Sequence, residues 1–322
     1  MTVLIIGSGL VGTQIARLEV EREERPVVME LQPQRDAMAQ LVDLDRIELV
    51  QGDVLDPFAL ARAIQEYNVT RIVHTAANPL LTAGAQRDPL PAIRLNVMGT
   101  THVLEAARIF KMERVVFCSS SVLYSSMNPA VDSGTAYTEE ALPRPSTIYA
   151  TTKLAAENLG LNYARWYGLD FVAVRYSAVY GPWNGRGGGG EPSQLMRQLV
   201  EKALKGEEAV YRDRPSEMVY SKDAALGTAL ACHATGLKSR VFNITSGAIF
   251  QPDQLVRELK RVVPNARLKR EEVPPDWMAA GRPPQPMDLT RARAELGYEP
   301  QFPLPKALAD YVAWIRQHPP AP

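Results

Sequence analysis

Tyr149 and Lys153 stand four positions apart in the stretch YATTK. On an α-helix that spacing puts both side chains on one face, about 5–6 Å apart at Cβ, close enough to share a proton network. A tyrosine hydroxyl ionises near pH 10, too high for a good base at neutral pH unless nearby positive charge favours the phenolate. The Lys153 ammonium is such a charge. The pair therefore suits reversible removal of a proton from an alcohol while hydride leaves the same carbon. Tyr-x-x-x-Lys also falls by chance on many surface helices, so its meaning depends on what else the chain places beside it.

Upstream, the apolar run VLII leads into GSGLVG, with Gly7, Gly9 and Gly12 in a G-x-G-x-x-G arrangement. Between a strand and a helix, such glycines permit a tight turn, close approach to a pyrophosphate and close helix–sheet packing. The second apolar run ends in Glu30, eighteen residues beyond Gly12. An acid there accepts from the hydroxyls of an adenosine ribose and repels a 2′-phosphate, so NAD is favoured over NADP. Glu30 as a plain helix cap, and a softening role for nearby Arg35, stay open. Asp53, after the third run, either accepts from an adenine amino group or caps a turn. Thr75, Ala76 and Ala77 of HTAA follow the fourth run and are small enough for a cofactor to lie against the strand end. His74 reads as a structural histidine. The fifth run ends in CSSSVLYS, a cluster of hydroxyls where a substrate oxygen would need orienting.

These residues need a scaffold. Six short β-branched runs alternate with helix-like segments: TVLII, PVVME, IELV, RIVHT, RVVFCS and FVAVRYS. Strands that are apolar throughout are buried on both faces, which parallel strands with crossover helices achieve. The expectation is an α/β fold with a doubly wound parallel sheet over residues 1–180. After YGP the pattern changes to the glycine-rich GRGGGG, a helix near Ser193 to Lys205 and proline-punctuated elements, a smaller region over 181–322. Residues 220–248 read as a helix and strand returning to the first domain. The tail carries an amphipathic helix, and PPAP should fray.

The 322 residues are 46% hydrophobic, and 36 basic residues balance 36 acidic ones, so no global field draws nucleic acid or an anionic membrane. Cys118 and Cys232 lie far apart and outside any metal-ligand spacing, which suits a reducing, cytoplasmic setting without a resident metal. The N-terminal apolar run stops at Gly7 and reads as a buried strand, neither a signal peptide nor a membrane span.

Taken together, GSGLVG, GDVLD, HTAA, NVMGT, CSSSVLY, YATTK, RYSAVYGP, FNITSG and DLTRARAELGYEP run in the order of the extended short-chain dehydrogenase/reductase family, also called the NAD-dependent epimerase/dehydratase family, which the chain resembles over nearly its whole length. The resemblance implies a Rossmann-type sheet with a C-terminal substrate-binding region. It implies Ser120, four residues before Tyr124, as the group that orients the substrate oxygen, with Ser121 as fallback. It further implies a cofactor set of Gly7, Gly9, Leu10, Val11, Gly12, Glu30, Asp53, Val54, Thr75, Ala76, Ala77, Asn96, Tyr149, Lys153 and Tyr176, and a homodimer built on helices beginning near Ile93 and Tyr149. Three departures matter. Ile6 stands where extended members carry the first glycine. Ser121 and Val122 replace the Asp-Glu pair of 4,6-dehydratases, which disfavours elimination. Ala178 and Ser216 replace an asparagine and an arginine that hold a nucleotide diphosphate, leaving Arg186, Arg212 and Arg214 to meet an anionic substrate.

The expected activity is NAD-dependent hydride transfer at a secondary alcohol or ketone of a sugar-like or polyol small molecule. The alternatives are a nucleotide-sugar 4-epimerase with non-dissociating NAD and, in another class, a non-catalytic NAD-sensing protein. The intact serine, tyrosine and lysine set argues against the sensor.

Overall fold

The computed structural model describes residues 1–77, 81–124, 136–272 and 285–319. Eleven strands occur among them: β1 (Val3–Ile6), β2 (Val27–Glu30), β3 (Glu48–Gln51), β4 (Arg71–His74), β5 (Arg114–Ser120), β6 (Phe171–Tyr176), β7 (Ala178–Tyr180), β8 (Glu208–Arg212), β9 (Met218–Tyr220), β10 (Val241–Ile244) and β11 (Arg267–Glu271). Seven form one sheet in the order β3-β2-β1-β4-β5-β6-β10. Every pairing in it is parallel. The doubly wound sheet expected from the apolar runs is present. All seven strands therefore end at one edge, where ligands of open α/β sheets bind.

Helices cover both faces: α1 (Leu10–Glu21), α2 (Arg35–Ala39), α3 (Pro57–Glu66), α4 (Leu81–Arg87), α5 (Pro89–Ile93), α6 (Gly99–Ile109), α7 (Ile148–Tyr167), α8 (Glu191–Leu204), α9 (Ser221–His233), α10 (Pro252–Val262) and α11 (Leu304–Gln317). Strand residues alternate between the two layers as the two-residue period requires. Ile5, Val28, Val73, Val116 and Val174 pack with α1 and α9. Leu4, Val27, Met29, Ile72, Val115, Phe117 and Ala173 pack with α3, α6 and α7. A separate core joins α8, α10 and α11 through Tyr180, Leu199, Val200, Tyr220, Leu259, Leu308 and Tyr311. The chain crosses between these units more than once, since α9 lies against α1 and β10 pairs with β6. No helix among the described residues is long and apolar enough to cross a membrane.

The ends of α7 follow local rules. Thr147 accepts from the Ala150 amide at 3.1 Å as N-cap, and Gly168, at φ 68°, terminates the helix in the left-handed region. Midway, Gly160 lets α7 settle onto β6: a Cβ there would lie 2.1 Å from the Phe171 ring. Gly160→Ala is expected to cost about 2 kcal/mol net, because overpacking of this core contact outweighs the helix-propensity gain. Denaturant unfolding of the variant checks it; an unchanged midpoint would show that Phe171 yields freely.

Candidate active site

Tyr149 and Lys153 occupy the first two turns of α7 and are buried at 6% and 3% exposure. The Lys153 Nζ donates to the Cys118 carbonyl of β5 at 2.7 Å and lies 4.7 Å from the Phe117 ring centroid and 5.9 Å from that of Tyr149. The Tyr149 side chain lies near that of Ser120, the last residue of β5. Ser120 Oγ accepts from the Val122 amide at 3.3 Å, which steadies it where the strand turns into the short 3₁₀ segment Ser121–Tyr124. Serine, tyrosine and lysine are thus gathered at the carboxyl edge of the sheet. Ser121 sits half-buried beside them.

Polar residues behind the site lock it. Thr152 accepts from Asn96 Nδ2 at 2.9 Å and donates to the Tyr149 carbonyl at 2.8 Å. Asn96 lies in a π-helical segment, Arg94–Met98, that interrupts the run from α5 to α6; such bulges recur where a helix must re-aim a functional side chain. Thr100 donates to the Asn96 carbonyl at 2.7 Å and meets His74 Nε2 at 3.0 Å, which makes Nε2 the protonated nitrogen. Burial first, then the Lys153 charge, pushes the His74 pKa down to about 3, so it is a neutral structural group. One turn beyond Lys153, Glu157 accepts from Ser119 Oγ at 2.6 Å and from Arg175 at 2.5 and 3.1 Å. Arg175 in turn donates to the Tyr124 hydroxyl at 2.6 Å, and that hydroxyl donates to Asn243 at 3.0 Å. This buried network ties α7 to β5, β6 and β10. Its members escaped the sequence reading, although a charged residue inside FVAVRY and a glutamate four after Lys153 were the available signals.

The glycine turn is equally constrained. Gly7 has φ 102°, and a Cβ there would meet Thr75 Oγ1 at 2.6 Å and the Ala76 amide at 2.9 Å. Gly12 faces the Gly7 carbonyl so closely that a Cβ would come within 1.9 Å of its oxygen. Thr75 Oγ1 donates to the Ile6 and Gly7 carbonyls, each at 2.9 Å, so it anchors the turn. Glu30 accepts from the Ser8 amide at 2.8 Å and the Ser8 hydroxyl at 3.1 Å, which brings its carboxylate to the glycine turn where an adenosine ribose would need it. Asp53 Oδ1 accepts from the Leu55 amide at 2.8 Å, the turn-capping role, and Val54 is buried against Gly99. Gly9 caps α1, Leu10 and Val11 open it, and Ala76 and Ala77 follow the end of β4, Ala76 against Gly7. The cradle that added Cβ atoms would fill, and the carboxylate at the end of β2, fit a dinucleotide.

Tyr176 turns its ring into the α1 and α9 core, where its hydroxyl bonds Thr228 and approaches Cys118 Sγ at 3.2 Å; the side-chain period of β6 points it away from the cleft. Arg186 is held through its backbone by Gln34, beside the glycine turn. Arg212 bonds Glu191 at 2.6 Å, and Arg214 is an exposed neighbour. Burial, and after it the neighbouring Cys118, raise the Tyr149 hydroxyl well above its usual range in this state, with Ser120 acting the other way. Burial likewise brings Lys153 down to about 8, so it still carries its proton at neutral pH.

The model of the NAD dependent epimerase/dehydratase family matches residues 3–245. The chain belongs to this family. Among its relatives, UDP-glucuronate 4-epimerase of Thermodesulfobacterium geofontis is 26% identical over 282 residues, covering 85% of this chain and 81% of that one. UDP-glucuronate 4-epimerase 4 of Arabidopsis thaliana is 26% identical over 341 residues, covering 98% and 75%. In three dimensions the family member resembles the UDP-glucose 4-epimerase of Thermotoga maritima, solved with UDP-glucose, at a TM-score of 0.82 and 22% identity over 99% of both chains, which speaks for the fold. A partial consensus L-threonine 3-dehydrogenase gives a TM-score of 0.82 and 25% identity over 98% of this chain and 100% of the other.

The buried lysine sets a pH dependence. Its proton is lost near pH 8 in the folded protein and near 10.5 when exposed, so between those values the unfolded chain binds more protons and this residue's contribution to stability rises with pH. Lys153→Met is therefore expected to melt higher than the parent at pH 7, by about 1–2 kcal/mol after loss of the Cys118 bond, with the gain vanishing above about pH 10. Thermal unfolding at pH 7 and pH 10 measures this. A variant less stable at both would show that the ammonium is not held at a cost.

Proposed function

We propose that this protein is an NAD-dependent oxidoreductase acting on a secondary alcohol or ketone of a small polar or sugar-like molecule. The observation that carries the reading is the placement of Ser120, at the end of β5, near Tyr149, with the Lys153 ammonium buried one helical turn on and donating to the Cys118 carbonyl. In this role Ser120 positions the substrate oxygen, and Tyr149, whose phenol holds its proton tightly, donates it to that oxygen during reduction. Bound NAD supplies the hydride donor or acceptor, and its oxidised ring brings the positive charge that the phenolate needs in the reverse direction. Asn96 and Thr152 hold the first turn of α7 in place, while Gly7, Gly9, Leu10, Val11, Gly12, Glu30, Asp53, Val54, Thr75, Ala76 and Ala77 form the dinucleotide side. Residues 1–180 with 220–248 then constitute the dinucleotide-binding part, and most of 181–322 the substrate-binding part. The exposed Arg214, and Arg212 once it exchanges Glu191 for substrate, are the cations offered to an anionic substrate. We place the protein in the cytoplasm, with no nucleic-acid or membrane partner.

A second reading, a nucleotide-sugar 4-epimerase that oxidises and re-reduces one carbon with retained NAD, is supported by the UDP-glucuronate 4-epimerases among the relatives. Ala178 and Ser216 speak against it, because a buried diphosphate needs charge-assisted donors. A screen of polyols, amino alcohols, free sugars and nucleotide sugars, following NADH absorbance and product stereochemistry together, separates the two: the first reading expects NADH to accumulate, the second expects inversion without it. Tight competition by uridine diphosphate would promote the epimerase.

Tyr149→Phe is expected to retain cofactor binding and lose about 10²–10⁴-fold in turnover; near-parental turnover would remove Tyr149 from the chemistry. NAD is expected to bind more tightly than NADP by calorimetry, since Glu30 faces the ribose position, and equal affinities would contradict that placement. The exposed Met98, Ile109, Trp166 and Tyr167 on the outer helices support a homodimer, and Trp166→Arg should shift the mass seen by light scattering toward the monomer.

A further inference from the structure

The segment Trp183–Gly190 lies across the glycine turn. The Gly187 carbonyl accepts from the Leu10 amide at 3.3 Å, and it sits so near Gly9 that a Cβ there would meet its oxygen at 2.9 Å. The Leu10 amide opens α1, and an amide at that point of a glycine-rich turn is the donor a dinucleotide phosphate uses. Gly187 O thus stands where a phosphate oxygen would accept. Two bonds join the segment to Gln34, Arg186 N donating to Gln34 Oε1 at 2.5 Å and Gln34 Nε2 donating to Arg186 O at 3.2 Å, and Trp183 Nε1 donates to Arg186 O at 2.8 Å within the segment; its start is anchored by Asn184 Nδ2, donating to Gln40 Oε1 and His318 O, and by Arg197, donating to Trp183 O. Gly187 and Gly189 have φ of 74° and 98°, so the bend depends on residues without side chains. On its flank is a cavity of about 350 Å³, bordered by Trp183, Gly188, Arg197 and Tyr311, which gives it room to move.

We propose that Trp183–Gly190 is a strap latched by Gln34, which closes the diphosphate position of the cofactor cleft and competes with the cofactor for the Leu10 amide. A neutral carbonyl is a weaker acceptor than a phosphate oxygen, whose charge-assisted bonds are roughly twice as strong, so the cofactor displaces the strap and the latch sets how readily it does so. The proposal rests on the NAD reading above and adds the competition.

Calorimetric titration of the full-length protein with NAD, ADP and adenosine tests it. Gln34→Ala and Trp183→Phe, each loosening the latch, should tighten NAD and ADP by about 3- to 10-fold, the equivalent of one typical hydrogen bond. Adenosine lacks the diphosphate, so the ratio of its dissociation constant to that of ADP should rise in both variants, which cancels any direct contact of Gln34 with the nucleoside. If the parent protein binds NAD but both variants bind NAD and ADP no better, the strap does not compete and the proposal fails. If parent and variants alike bind no NAD, the oxidoreductase reading fails and the strap with it.

Discussion

An ammonium group with almost no access to water has to find its partners inside the protein, and Lys153 finds one at the Cys118 carbonyl. That requirement ties the second turn of α7 to the end of β5, because a buried lysine left unbonded would cost several kcal/mol. Most of the surrounding structure serves the same junction. Glu157, one turn on, cancels charge with Arg175 and holds Ser119, so the strand end that carries Ser120 is gripped from both sides. Asn96 and Thr152 fix the first turn of the helix, where Tyr149 projects.

The electrostatic state that results favours one direction of proton transfer. Burial pushes the Tyr149 phenol up and the Lys153 ammonium down, so the phenol keeps its proton while the lysine, at about 8, remains mostly charged at neutral pH. A phenol that keeps its proton is a ready acid, and it becomes a base only when positive charge develops beside it. The site is poised by desolvation, and its cofactor is the component that completes it.

Much of the fold was legible in the sequence because buried parallel strands read as near-continuous apolar runs, and VLII, VVME, RIVH and RVVF each became a sheet strand within a residue or two of the expected bounds. The glycine turn was legible for a related reason: Gly7 and Gly12 are demanded by contacts only 2–3 Å away, which no other residue satisfies. Tyr149 and Lys153 were legible because helical periodicity alone puts them on one face.

What the sequence could not decide was direction and competition. Tyr176 lies in a motif that invites a cofactor role, yet strand alternation turns it into the α1 and α9 core. Arg186 was a free cation on a glycine-rich loop until the fold laid that loop on Gly9 and Gln34 brought from 152 residues away. The Glu157–Arg175 pair and the Asn96–Thr152 bond join residues 18 and 56 positions apart. Local pattern determines which segments become strands and helices and which residues share a face, because those depend on periods of two and 3.6 residues. Only the tertiary structure decides which buried polar groups meet, because desolvation and hydrogen bonding act across space without regard to sequence separation.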